Sequence, residues 1–430
     1  MIIMYIGIDD TDSLENYCTT YIGTILMEEL QKNYVLDIPK LIRMNPMVKY
    51  KTRGNGGISL HIVEKNNELS DSDINIIKKT VVKTVEKFSD FKCDNTNPGI
   101  VFLSEESYSK NEKKLENYYK SVLYDILSVD YTEKLLNEIN AEFIKYKNGY
   151  GIIGALGAIS SKPPFTYELL TYREESVWGT KREIDDFSVV NMNEKTFPYT
   201  FNNLDGKKPI ITPHTPCPVL YGIRGISKTV LNNAKNIIKS ERILKSQIFV
   251  TNQGTDAHLR FMKIKDMYPD TGVISYGQVV QKPIEITGGH VLFKIKDDTG
   301  EINCISYEPT KEFRNIIRKL DIGDLVGVYG TVRKNPFEIN IEKLKIVSLK
   351  KQYDKNKKCE CGGTLKSKGL KSGYKCNLCS RKIDYDKIST FEIKRDIFEG
   401  FYEVIPSARR HLSKPVQLYD FDLQVIDKYD

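Results

Sequence analysis

No stretch of the 430 residues approaches the roughly 18 consecutive apolar positions that a membrane-crossing helix needs, so a membrane partner is excluded. The N-terminus, MIIMYIGIDDTDS, lacks a basic leader and a small-residue cleavage site, and a cytoplasmic protein is expected. Internal repeats are missing, which leaves no basis for a solenoid. Cysteine is sparse, and Cys18, Cys93, Cys217 and Cys304 are scattered. In a chain without a leader this gives no disulfide framework. Excess charge of one sign is slight too: +7 over this length does not by itself identify a nucleic-acid partner.

What is present is more telling. The chain is too long for a single core of about 100 to 200 residues, so several packed domains are expected. Positive charge is concentrated. Between residues 351 and 382 ten Lys or Arg stand against Asp354 and Glu360, a local excess that suits a polyanion, although a solvated lysine-rich surface would look the same.

The first segment alternates strand-like runs with amphipathic helices, the pattern of a mixed α/β domain. Strands are predicted over residues 4–9, 38–43, 58–63 and 100–103, and helices over 19–32 and 71–88. Near residue 150 the texture changes to small apolar residues, GIIGALGAISS, and later to the proline-rich HTPCPVLYGIRG. Residues 256–270 read as a linker or edge element. Beyond them lie five β-rich runs, at 273–281, 290–296, 301–306, 325–333 and 337–349, with a helix-like piece at 311–320 between the third and fourth. That order is the order of an OB-fold, a small barrel that binds oligonucleotides.

Four constellations carry chemistry. In GIDDTDS a predicted strand ends in Asp9, Asp10 and Asp12, carboxylates able to hold Mg²⁺ beside substrate phosphates; an acid that merely caps the next helix is the alternative. CTTY follows at the start of that helix, where free N–H groups favour a phosphate and where the hydroxyl of Thr19 could accept a phosphoryl group or simply act as an N-cap. The loop KTRGNGG offers Lys51, Arg53, Gly54 and Asn55 to a triphosphate, without Walker spacing; a basic hairpin without ligand reads the same way. Cys359-x-Cys361 followed by Cys376-x-x-Cys379 matches a zinc ribbon whose four thiolates make a closed, structural Zn²⁺ site. The cluster Arg409, Arg410, His411 and Lys414 suits RNA phosphates or an exposed tail, while His214, flanked by prolines, reads as structural.

Taken together, GIDDTDS, CTTY, RMNPMVKYKTRGNGG, GIIGALGAI, HTPCPVLYGIRG, the barrel block, the cysteine ribbon and ARRHLSKP resemble the archaeal agmatinylcytidine synthetases that act on an isoleucine tRNA. The resemblance runs over essentially the whole chain, with LENY before the CTT where the family more often has a glycine. It implies an α/β multidomain protein: a kinase-like α/β domain at 1–150, a ferredoxin-like α+β domain at 151–265, an OB-fold β-barrel at 266–350, and a zinc ribbon with a basic C-terminal tail at 351–430.

The activity it implies is ATP-dependent ligation of agmatine to C2 of the wobble cytidine in a CAU anticodon, through phosphorylation of the C2 oxygen, with release of AMP and phosphate. ATP and Mg²⁺ would sit on Asp9, Asp10 and Asp12, with Lys51 and Arg53 neutralising the triphosphate. Thr19 would be the self-phosphorylated threonine. Agmatine would lie near the junction of the first two domains, which points to a loop at residues 151–158, with Gly154 and Ala155, and to Glu168 as the carboxylate for its guanidinium. Arg409, Arg410 and Lys414 would meet the tRNA. No obligate protein partner is evident. The rival reading is a non-catalytic OB-fold and zinc-ribbon protein that binds single-stranded nucleic acid, which leaves the DDTD, CTTY and KTRGN segments unexplained.

Overall fold

The computed structural model describes residues 4–13, 15, 17–51, 54–63, 69–369 and 372–430. Arg53 therefore lies outside the described residues. The first strand, Met4–Asp9, buries Ile6 and Ile8 completely and pairs antiparallel with both Gly56–Val63 and Gly99–Ser104. In the helix Thr19–Leu30 the buried residues Ile22, Leu26 and Leu30 recur every four positions, and in Asp71–Phe88 so do Ile77, Val81 and Val85. These stripes turn both helices onto one face of the sheet. The second helix begins in a full capping box between Ser70 and Asp73.

The two N-terminal units share one sheet. Its order is Glu142–Lys145, Gly99–Ser104, Met4–Asp9, Gly56–Val63, Lys40–Arg43, Lys245–Thr251, Thr166–Tyr172, Val219–Gly225 and Thr200–Phe201, with Val35–Leu36 beside Gly56–Val63. The join is a short parallel pairing of Val250 and Thr251 with Lys40 and Leu41. The opposite face carries the helices Glu112–Tyr124, Val129–Glu138 and Gly151–Ile159.

Residues 151–158, expected as a loop, lie instead in the fully buried helix Gly151–Ile159. The glycines explain why it can lie so close. A Cβ on Gly7 would fall 2.2 Å from the Ala155 carbonyl oxygen, so strand and helix meet backbone to backbone. Small residues here are a packing device.

The five predicted barrel strands form as Gly272–Ile286, His290–Lys296, Glu301–Ser306, Leu325–Arg333 and Glu338–Ser348, with the helix Glu312–Arg318 between the third and fourth. Pairing of the first strand with the fourth, and of the third with the fifth, closes the barrel around Val279, Phe293, Ile317 and Val328. Residues 256–270 contribute the short edge strand Arg260–Phe261. The ribbon is a three-stranded sheet, Leu365–Ser367, Tyr374–Cys376 and Lys382–Ile383.

The C-terminal segment is not the exposed tail that its charge suggested. Gly400–Glu403 adds to the fifth barrel strand, and Leu418, Leu423 and Ile426 then enter the core of the second unit with Tyr167 and Ile223. On the way, Gly254 N–H donates to the His411 carbonyl at 2.9 Å and Thr255 N–H to Leu412 at 3.1 Å. No helix among the described residues is long and apolar enough to cross a membrane.

Candidate active site

A cavity of about 630 Å³, within the range of small-molecule sites, opens where the two N-terminal units and the C-terminal segment meet. Asp9, Asp10, Asp12, Thr19, Lys51, Gly54, Asn55, Gly154, Glu168 and Arg409 all line it, as do Tyr50, Tyr150 and His214. Segments four hundred residues apart converge here.

The acidic corner is shaped by a break in the first strand. Asp10 adopts a left-handed backbone (φ 57°), which turns the chain sharply after Asp9. Its carboxylate accepts from both the N–H and the side-chain amide of Asn97, at 3.1 and 3.2 Å, and its own N–H donates to Asp9 Oδ1 at 2.7 Å. Asp9 is buried. Loss of hydration, reinforced by Asp10 and Asp12, pushes its carboxyl well above the usual carboxylate range. Three acids crowded in this way favour a counter-charge, and a hard divalent cation fits an all-oxygen donor set. Gly154 makes the arrangement possible, because a Cβ there would fall 1.7 Å from Asp9 Oδ2.

At the helix N-terminus Cys18 is the N-cap residue and its side chain makes no capping hydrogen bond, and the first turn holds no acid. The N-cap alternative for the threonines therefore falls away. Thr19 instead sits at the first helical position, and its oxygen accepts from the Thr11 hydroxyl at 3.0 Å. Thr19 and the acids thus share one wall.

Cations face them. Lys51 donates to the Pro46 carbonyl, and burial lowers its pKa, as does Arg410 nearby. Arg43, which the motif reading passed over, donates to the Gly54 carbonyl at 3.0 Å, and its buried Nε has no partner among the described residues. Arg224 was missed as well. It pairs with Glu168 at 3.0 Å, and Glu168 also accepts from Gln253, so this carboxylate already holds one of the chain's own guanidinium groups. Arg224 further donates to His411 Nδ1 at 3.0 Å. A guanidinium can only donate, so the imidazole proton sits on Nε2. Enclosure by the protein, with Arg43, Arg224 and Lys51 around it, pushes the His411 pKa well below its usual value and keeps the ring neutral.

Not every expected residue reaches the cavity. Ala155 is buried in the core beneath the sheet. Arg410 pairs with Glu342 at 3.2 Å, and Lys414 lies over the Tyr419 ring at 5.1 Å. Arg409 lines the cavity but is held by Glu403 at 2.5 Å and by Asn202 at 2.7 Å. Sequence signals for Arg43 and Arg224 did exist, in RMNPMVK and GIRG, but only the fold shows that these two arginines share a cavity.

In the ribbon the sulfur atoms of Cys359, Cys361, Cys376 and Cys379 all lie within 4.8 Å of one another, with Cys359 and Cys379 at 3.8 Å and Cys361 and Cys376 at 3.5 Å. Four thiolates about 2.3 Å from one zinc ion stand roughly 3.8 Å apart, so the donor set fits zinc.

Comparison with known proteins agrees with this architecture. Family models match residues 5–148 (TiaS TCKD domain), 149–258 (TiaS FLD domain), 273–347 (OB-fold nucleic acid binding domain) and 356–397 (TiaS C-terminal zinc ribbon domain). The tRNA(Ile2) 2-agmatinylcytidine synthetase TiaS of Methanocaldococcus jannaschii is 60% identical over 424 residues, covering 98% of this chain and 100% of its own. The chain belongs to the TiaS family. A solved TiaS complex with tRNA(Ile2) and ATP is 37% identical with a TM-score of 0.84, and one with tRNA(Ile2), AMPCPP and agmatine is 34% identical with a TM-score of 0.82; each match covers 98% of both chains. The kinase-like, ferredoxin-like, OB-fold and ribbon units expected from the sequence are thus those of TiaS.

Proposed function

We propose that the chain is an ATP-dependent ligase that joins agmatine to C2 of the wobble cytidine of an isoleucine tRNA with a CAU anticodon, releasing AMP and phosphate. The observation that carries this reading is the convergence of Asp9, Asp10, Asp12, Thr19, Lys51 and Asn55 on one cavity. Its support is the likeness over 98% of the chain to TiaS complexes with tRNA(Ile2), nucleotide and agmatine. The work is done in the cytoplasm.

An oxygen on C2 is a poor leaving group, and phosphorylation makes it a good one. The primary amine of agmatine then attacks C2, the C–N bond forms, the amine loses a proton, and the C–O bond breaks as phosphate departs. Asp9, Asp10 and Asp12 would hold Mg²⁺, which supplies charge neutralisation to the phosphates. Lys51, with Gly54 and Asn55, meets the triphosphate, and Arg53 belongs to the same loop. Arg43 and Arg224 add two cations to the same cavity. Passing from ATP to AMP frees two phosphoryl groups: one goes to the C2 oxygen, and the other is assigned to the Thr19 hydroxyl, from which water would release it as a second phosphate. Glu168 is the carboxylate assigned to the guanidinium of agmatine, in exchange for Arg224, with Gly154 on the wall of the same cavity. The target base must leave its stack to enter, which costs little in an anticodon loop. Zinc in the ribbon is structural, and the barrel, the ribbon and the basic residues Arg409, Arg410 and Lys414 grip the RNA.

The test is incubation with labelled ATP, agmatine and unmodified tRNA, followed by nucleoside mass spectrometry. A cytidine carrying the agmatine mass together with tRNA-dependent AMP release is expected. RNA binding without either product would sink the proposal.

A further inference from the structure

We propose that the outer face of the barrel built on its first, fourth and fifth strands is a stacking surface for the unpaired nucleotides that flank the reacting cytidine. This rests on the tRNA reading and adds a site to it. Tyr276, Gly327, Lys345 and Phe401 are successive register partners across four strands and therefore share one face. A Cβ on Gly327 would fall 2.6 Å from Tyr276 Cε1, so the tyrosine ring lies against bare backbone. Phe261 runs parallel to that ring, with centroids 6.3 Å apart and planes 13° apart, and is 73% exposed. Lys345 Nζ stands 5.1 Å over Phe401. Single exposed aromatics are ordinary on surfaces, but a parallel pair on a glycine floor beside a lysine is a ready platform for bases and phosphates.

The other face lacks these features. OB-folds ordinarily bind on their second and third strands. Here Val291, Phe293, Ile295, Ile302 and Cys304 fill the core, so His290, Leu292, Lys294, Lys296, Glu301 and Asn303 lie on the opposite side of the sheet, where the rings at the strand ends, His290 and Tyr307, meet edge to face at 5.0 Å rather than in parallel. Glu301 takes up both lysines, at 3.9 and 3.6 Å.

Continuity with the cavity selects the occupant. Arg260, next to Phe261, lies between the rings of Tyr124 and Tyr268 at 5.2 and 5.0 Å. Tyr268 donates to Asp125 at 2.5 Å, and Asp125 lines the cavity. A strand of RNA leaving the cavity at Asp125 meets a cation and then the exposed ring pair.

The test is equilibrium binding of an anticodon stem-loop RNA with 2-aminopurine placed on either side of the target cytidine, using full-length protein. Phe261→Ala and Tyr276→Ala are expected to weaken binding roughly 5- to 150-fold each and to relieve 2-aminopurine quenching, whereas Tyr276→Phe keeps both. Phe261 is too exposed for its loss to unfold the barrel, and thermal unfolding checks this. Unchanged affinity and quenching in Phe261→Ala overturns the proposal. So does a loss seen only with an acceptor-arm RNA helix. Agmatine incorporation by the wild-type protein is measured in parallel, so a failure of the ligase reading is recognised separately.

Discussion

The cavity and the zinc ribbon are held together by opposite means. In the cavity several of the lining side chains are fixed by partners far away in the chain: Asn97 on Asp10, 87 positions apart, Gln253 on Glu168, 85 apart, and Arg224 on His411, 187 apart. Among the described residues the ribbon has almost no core, only Cys359, Leu365, Cys376 and Ile388 with Tyr374 and Ile383 against them. Its four sulfur atoms lie within one short segment. The first geometry is a consequence of whole-chain packing. The second depends on one ion, and damage to it should stay local.

The largest effect that could break this contrast is loss of the metal. Structural zinc contributes on the order of 10 kcal/mol or more to such a site. Cys376→Ser should release zinc and unfold the ribbon, weaken tRNA binding, and leave the main unfolding transition and ATP turnover at the cavity nearly unchanged. Metal analysis and calorimetry check it, and a single transition lowered as a whole would show that the ribbon is not autonomous. On the cavity side, Asp9→Asn keeps the shape and removes the charge. Turnover should fall at least about 100-fold, the scale of losing one preorganised electrostatic group, with tRNA affinity retained. Equal loss of both would mean that Asp9 is structural.

The same contrast explains what could be read in advance. The ribbon, the barrel order and the first strand and helix are local patterns: cysteine spacing, alternation, and apolar residues every three or four positions. Asp9, Thr19 and Lys51 were legible because their motifs are short and chemically unusual. Arg43 and Arg224 were not, since an arginine gains meaning only from what the fold sets opposite it. Residues 151–159 misled for a physical reason. Three glycines in nine residues weaken an isolated helix, and only the glycine-backed approach to Gly7 and Gly57 makes this one favourable. The exposed-tail alternative for the basic C-terminal segment failed for a related reason, because charge suggests solvent unless the carboxylates that receive it are known. Arg409 is received by Glu403 and Arg410 by Glu342.

Glu342 gives the smallest and sharpest test, because it ties the barrel to the segment that carries His411 into the cavity. It is 7% exposed, with His258 at 2.9 Å and Arg410 at 3.2 Å. Burial pushes its carboxyl up, but His258, Arg410 and Lys343 outweigh that effect and hold it down at about 2, against 4.5 for a free glutamate. A depressed acid binds fewer protons folded than unfolded, so its contribution is fully present above about pH 5 and is lost as pH falls toward 2. The shift corresponds to about 3 kcal/mol. Acid titration followed by unfolding should therefore show a steep limb between about pH 4.5 and 2 that flattens in Glu342→Gln. At pH 7 the same variant should be destabilised, with Arg410 and Lys343 left short of a counter-charge. If the limb kept its slope in the variant, the C-terminal segment would be docked by its apolar residues, Leu418 and Leu423, and the ion pairs at the junction would be incidental.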